Sequence, residues 1–105
     1  MKTLLISLAL LFAAATPTPA PTTAPVLTVH IRDFAFAPSA ATVHAGDTVE
    51  FVNDDPATHD VTSDAVKSGP IAPGKHWTHT FADAGTYAYI CSYHPSMKGT
   101  ITVTK

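Results

Sequence analysis

Gly85-Thr86-Tyr87-Ala88-Tyr89-Ile90-Cys91 reads as a β-strand, because Tyr87, Tyr89 and Cys91 recur at the two-residue period and so share one face. The same alternation runs along the rest of the chain. Leu27, Val29 and Ile31 share a parity opposite Thr28 and His30, and Val49 and Phe51 oppose Thr48 and Glu50. Ile101 and Val103 oppose Thr100, Thr102 and Thr104. Turn-forming clusters separate these runs: Ala45-Gly46-Asp47, Asn53-Asp54-Asp55-Pro56, Ser68-Gly69-Pro70, Ala72-Pro73-Gly74 and Asp83-Ala84-Gly85. No stretch after Val26 sustains an amphipathic helical repeat, and no internal repeat is visible. Short strands punctuated at this rhythm predict an all-β fold, a Greek-key antiparallel β-sandwich. Tyr87, just inside a late strand and shortly before an inward Cys91, is either the hydroxyl anchor of a tyrosine corner or a plain core aromatic.

The chain of 105 residues is long enough for one domain and too short for two. Hydrophobic residues make up 46% and charged ones 13%, which fits a small globular fold. Six basic against eight acidic residues, scattered, give a net charge of −2, which argues against a nucleic-acid partner. Residues 1–15 read as an export signal: Lys2 is the positive charge, Leu4 to Ala15 the apolar run, and Ala13-Ala14-Ala15 a small-residue cleavage site. The run is shorter than the roughly 20 apolar residues of a transmembrane helix, so an uncleaved anchor is the weaker reading. After cleavage, five basic and eight acidic residues leave −3, with no stable membrane insertion expected. Residues 16–25 (TPTPAPTTAP) carry four prolines among small residues and read as a stiff spacer. The folded domain is expected at residues 26–105. It contains a single cysteine, so no internal disulfide can form, and a free thiol in an oxidising compartment calls for another explanation. Capture by a metal is the best one.

Cys91-Ser92-Tyr93-His94-Pro95-Ser96-Met97 offers a thiolate, an imidazole and a thioether immediately after a strand. Soft sulfur ligands combined with imidazole favour copper, and a His₂Cys trigonal site with a weak axial Met is the blue-copper arrangement. One histidine is missing. His59 supplies it, lying beyond the end of a predicted strand (Thr48 to Asn53) and starting another (His59 to Thr62). Taken singly, Cys91 and Met97 would be core filler, and His59 and His94 loop or surface residues. Taken together, their spacing and parity point to one copper ion held by His59, Cys91, His94 and Met97.

The stretches Gly46-Asp47-Thr48-Val49-Glu50-Phe51-Val52-Asn53, His59-Asp60-Val61 and Gly85 to Cys91, with His94 and Met97, resemble the cupredoxin family over most of residues 26–105. The Cys-x2-His-x2-Met spacing is most similar to that of amicyanins, within the plastocyanin and pseudoazurin group. The resemblance implies that His59, Cys91 and His94 are equatorial ligands and Met97 the axial one. One position departs from the family: many members carry Asn after the first His ligand, and here stands Asp60. A carboxylate beside a thiolate disfavours the thiolate's charge, so Asp60 is expected to turn to Ser92 and tie the two ligand loops together.

The resemblance further implies a monomeric electron carrier rather than an enzyme, periplasmic or secreted. It would pass single electrons between a redox protein donor and acceptor, by analogy an amine dehydrogenase and a c-type cytochrome. His94 would be the electron port, ringed by Pro95, Met97, Pro73 and Ile71. Two rival readings use the same residues differently: a periplasmic copper carrier or buffer, and a metal-free interaction domain. His30 and His44 fall on the polar parity of their strands. His76 and His79 lie three apart on a strand and so on opposite faces, which weighs against a second metal site. His79 shares its parity with Trp77 and Phe81, where an apolar residue is expected; a locally satisfied imidazole or a bulge would account for it.

Overall fold

The computed structural model describes residues 24–105. The expected signal peptide (residues 1–15) and residues 16–23 of the spacer lie outside them. The described residues form seven strands and no helix: β1 (Leu27–Arg32), β2 (Ala35–Ala37), β3 (Ala40–His44), β4 (Asp47–Asn53), β5 (His76–Phe81), β6 (Gly85–Cys91) and β7 (His94–Thr104). They build two sheets, ordered β2-β1-β4-β5 and β3-β7-β6.

The sandwich is the expected one, but its sheets are mixed. β1 pairs parallel with β4, and β3 parallel with β7, where the sequence reading has antiparallel neighbours throughout. Alternation reports which face of a strand is buried and is silent about its direction. Here β2 folds back antiparallel on β1, β3 crosses to the second sheet, and β4 returns beside β1 in the same direction.

The core follows the parity. Val29, Ile31, Val49, Phe51 and Ile101 are fully buried, with Phe36, Val43, Phe81, Tyr89, Met97 and Val103 packed around them. Burying a side chain such as Phe51 contributes about 1.5–3 kcal/mol. The Tyr87 hydroxyl donates to the Asp83 carbonyl at 2.8 Å, so the tyrosine corner is the alternative realised. Tyr89 lies against Phe36 and Phe51 (ring centroids 4.8 and 5.6 Å) and directly over Gly99, its cross-strand partner. Only glycine fits there: a Cβ would come closer than 3.0 Å to the Tyr89 ring.

β5 shows no bulge, and His79 is accommodated by stacking. Its ring lies parallel to Trp77 (5.3 Å, 23°) and edge-on to Phe81 (4.7 Å, 80°). Half-buried in this aromatic row, the imidazole is pushed by burial below its ordinary pKa.

The strand directions define two poles. At one lie the ends of β4 (Asn53) and β6 (Cys91) and the start of β7 (His94). At the other, the Ala45 amide donates to the Thr104 carbonyl and the Gly46 amide to the Phe81 carbonyl, closing the ends of β3, β7 and β5 around the start of β4. The Val26 amide joins them there by donating to Thr48.

Candidate metal centre

Cys91 is the last residue of β6 and His94 the first of β7, and the two are paired across the two-residue turn Ser92-Tyr93. The ladder then breaks: Ile90 pairs with Lys98, so one step along β6 answers four along β7. The three extra residues bulge, as a stretch holding Pro95, with no amide to give the ladder, must. The bulge turns Met97 inward, where it is 3% exposed.

His59 comes from the long loop between β4 and β5. The expected strand from His59 to Thr62 does not form; isolated bridges take its place, His59 with Ile71 and Thr62 with both Lys67 and Ile90. Between them the Val61 amide donates to the Ser68 hydroxyl while its carbonyl accepts the Ser68 amide. The Thr62–Ile90 bridge, two hydrogen bonds of 2.9 Å, fastens this loop one residue before Cys91. Buried Asn53, ending β4, donates through its side-chain amide to the carbonyls of Ala57 and Ile71 at 2.8 Å each.

These constraints bring His59, Cys91 and His94 together, with one ligand atom from each within 4.8 Å of the others. Cys91 Sγ stands 3.6 Å from His59 Nδ1 and 3.9 Å from His94 Nδ1. Three such atoms around one ion, at about 2.0–2.1 Å for nitrogen and 2.3 Å for sulfur, would have nitrogen and sulfur about 3.8 Å apart in a trigonal plane. The donor set therefore fits a metal. The tautomer of His59 fits too: its Nε2 meets the Asp55 carboxylate at 2.8 Å and so carries the proton, leaving a bare Nδ1 facing the sulfur. His59 and Cys91 are fully buried and His94 half-buried.

Asp60 behaves as expected of it. Its Oδ1 accepts the Ser92 amide at 2.6 Å and its Oδ2 the Ser92 hydroxyl, tying the His59 loop to the Cys91–His94 turn. This aims the carboxylate's lone pairs at donors on the turn.

Two residues of the site were not anticipated from the sequence. Phe34, in the turn between β1 and β2, packs edge-on against both His59 (5.3 Å, 89°) and His94 (5.0 Å, 84°) and is 52% exposed. Asp55 accepts from His59 and from the amides of Asp33 (2.7 Å) and Phe34 (3.0 Å). Burial alone would raise the Asp55 carboxyl, but the Phe34 amide, the His59 ring and the Asp33 amide outweigh it and hold the group below its ordinary value. Asp55 stands four residues before His59 in a segment that reads only as a turn, and Phe34 follows an aspartate with no glycine or asparagine to mark the bend.

The surface around His94 also differs from expectation. Met97 and Ile71 are buried (3% each) and so form no part of an exposed patch. The exposed apolar groups beside His94 are Phe34, which packs on its ring, and its chain neighbours Tyr93 (50% exposed) and Pro95. His76 and His79 contribute to no metal cluster among the described residues, and His30 donates from Nδ1 to Asp54 at 2.7 Å.

Comparison with known proteins gives a consistent picture. The family model of the Cupredoxin-like domain matches residues 4–103. A plastocyanin of Prochlorothrix hollandica is 38% identical over 81 residues, covering 65% of this chain and 62% of that protein. An amicyanin of Paracoccus versutus is 30% identical over 87 residues, covering 76% of this chain and 66% of that one. Among solved structures, the Cu-containing nitrite reductase of Thermus scotoductus superposes with a TM-score of 0.74 at 32% identity, over 87% of this chain but 25% of the enzyme.

Proposed function

Since the chain belongs to the cupredoxin-like domain family, we propose that it is a periplasmic electron carrier holding one type 1 copper ion through His59 Nδ1, Cys91 Sγ, His94 Nδ1 and the Met97 thioether. The observation that carries this reading is the convergence of a bare imidazole nitrogen, a second imidazole and a thiol sulfur in a buried cluster. Bound copper would supply the one-electron couple. The chain's own residues do the rest. His59 and Cys91 are sealed from water, and the Asp60–Ser92 tie holds their loops in register. Phe34 packs on both imidazoles from the surface side.

His94 is the port through which electrons enter and leave. It is half-buried beside the exposed apolar groups Phe34, Tyr93 and Pro95, which suits brief docking of small contact area to a donor and an acceptor redox protein. An amine dehydrogenase and a c-type cytochrome are the partners that the amicyanin-like loop suggests. Among the described residues no helix is long and apolar enough to cross a membrane.

Copper storage or delivery is the second use such ligands allow. The full burial of His59 and Cys91 favours retention over exchange. The deciding experiment is the visible spectrum of the copper-loaded, oxidised protein, expected to show an intense thiolate-to-copper band that Cys91→Ser removes while the sandwich stays folded. A colourless, fully loaded protein overturns the copper reading, and rapid loss of copper to a chelator favours a carrier over an electron-transfer protein.

A further inference from the structure

We infer that Asp55 is a positioning residue that fixes both histidine ligands at once, His59 by a direct hydrogen bond and His94 through the turn that carries Phe34. The inference rests on the metal-site reading above and assigns a role to a residue outside the ligand set.

Three N–H groups converge on this one buried carboxylate. Oδ1 accepts from the Asp33 amide (2.7 Å), and Oδ2 accepts from the Phe34 amide (3.0 Å) and from His59 Nε2 (2.8 Å). All three partners are donors, which suits an ionised carboxylate, since it accepts on both oxygens and carries no competing hydrogen. The carboxylate is itself held: the Asp55 amide donates to Asn53 Oδ1 at 3.0 Å, and Asn53 is anchored through its side-chain amide to Ala57 and Ile71.

The direct arm sets the His59 tautomer. A proton on Nε2 leaves Nδ1 as the lone pair facing Cys91, and a negative partner makes that nitrogen a better donor to a metal. The indirect arm acts on His94. Asp33 and Phe34 both have positive φ (52° and 55°), the left-handed region that a bulky side chain such as phenylalanine rarely enters. Their amides point together at Asp55, which satisfies both and so stabilises the bend. That bend plants the Phe34 ring against the faces of both imidazoles. An amide whose oxygen takes the Oδ2 position would lose only the Asp33 contact, whereas alanine removes the acceptors of all three donors, His59 and Phe34 included.

The test begins with metal-free wild-type protein. ¹⁵N NMR of the imidazoles above pH 8 should show His59 protonated at Nε2 and bare at Nδ1, with nuclear Overhauser contacts from the Phe34 ring to the His94 ring. Asp55→Ala should mix or invert the His59 tautomer, lose the Phe34–His94 contacts, and weaken copper binding tenfold to a hundredfold. Phe34→Gly relieves the turn while keeping Asp55 on His59, so it should leave the His59 tautomer unchanged and free only His94. A wild-type His59 protonated at Nδ1 overturns the inference even if Asp55→Ala fails to fold. A folded Asp55→Ala with the wild-type tautomer, Phe34 contacts and copper affinity overturns it as well. Failure of the copper reading is separate: a wild type that takes up no copper still reports the tautomer and the Phe34 contacts.

Discussion

Replacing Gly99 by alanine tests how tightly the core beneath the metal site is packed. The added methyl would meet Cζ, Oη and Cε2 of Tyr89 inside 3.0 Å, a distance that real Cβ contacts essentially never reach. The Tyr89 ring has little room to give, with Phe36 and Phe51 edge-on to it at 4.8 and 5.6 Å. If the ring stays, the cost is that of overpacking, about 1–3 kcal/mol. If it leaves, the vacated space costs about 3–5 kcal/mol, as when a core aromatic is truncated. The expected loss is therefore about 3 kcal/mol, from a total of about 8 kcal/mol for a domain of this size at ~0.1 kcal/mol per residue. Urea unfolding of metal-free protein measures it, with an unchanged slope showing that stability and not cooperativity has altered. Tyr89→Ala alone should cost about 3–5 kcal/mol, and the double variant clearly less than the sum of the two single losses, because the clash is then absent. A Gly99→Ala cost below about 0.5 kcal/mol, with no coupling to Tyr89, would refute the packing argument.

Three further outcomes are expected. Tyr89→Phe should stabilise the protein by about 1 kcal/mol in the same assay, because the buried Tyr89 hydroxyl has no hydrogen-bond partner and its desolvation is uncompensated; a loss would mean that the hydroxyl has a partner. Met97→Leu should keep copper and raise the reduction potential, since losing the thioether stabilises Cu(II) less, and voltammetry showing a lower potential would give Met97 another role. His79 is held by burial below the ordinary value of 6.5, so on acidification the unfolded chain takes up this proton first. Its contribution to stability is complete above pH ~6.5 and is lost as pH falls from there through the folded-state pKa. Urea midpoints at pH 7.5 and 5.5 should therefore differ less in His79→Phe than in the wild type, and equal differences would remove His79 from the account.

What could be read from the sequence, and what could not, divides along physical lines. Val29, Ile31, Phe51, Ile101 and Val103 were legible as core because a strand buries alternate residues whatever its neighbours do. The closeness of Cys91 and His94 was legible because a single two-residue turn pairs them, so their spacing in sequence already carries the geometry. The parallel pairings of β1 with β4 and β3 with β7 were not, because pairing direction depends on which sheet an intervening strand joins. Asp55 was hidden because its role depends on the Asp33–Phe34 turn, more than twenty residues away in sequence. Phe34 was hidden because no glycine or asparagine advertises its left-handed backbone. The burial of Met97 and Ile71 was missed because proximity to His94 in sequence or in the loop does not say whether a residue is exposed.

The two-pole arrangement of the strands bears on how the protein can be handled as a device. The described chain starts beside Thr48 and ends beyond Thr104, and both positions lie at the pole away from Cys91 and His94. The seven residues of β4 separate the poles by about 20 Å, at about 3.3 Å per residue. An attachment at either end therefore leaves the Phe34–Tyr93–His94 face pointing outward. A domain tethered to a surface through residues preceding Val26, or fused to another protein after Lys105, would present the face around His94 to the medium rather than to its support.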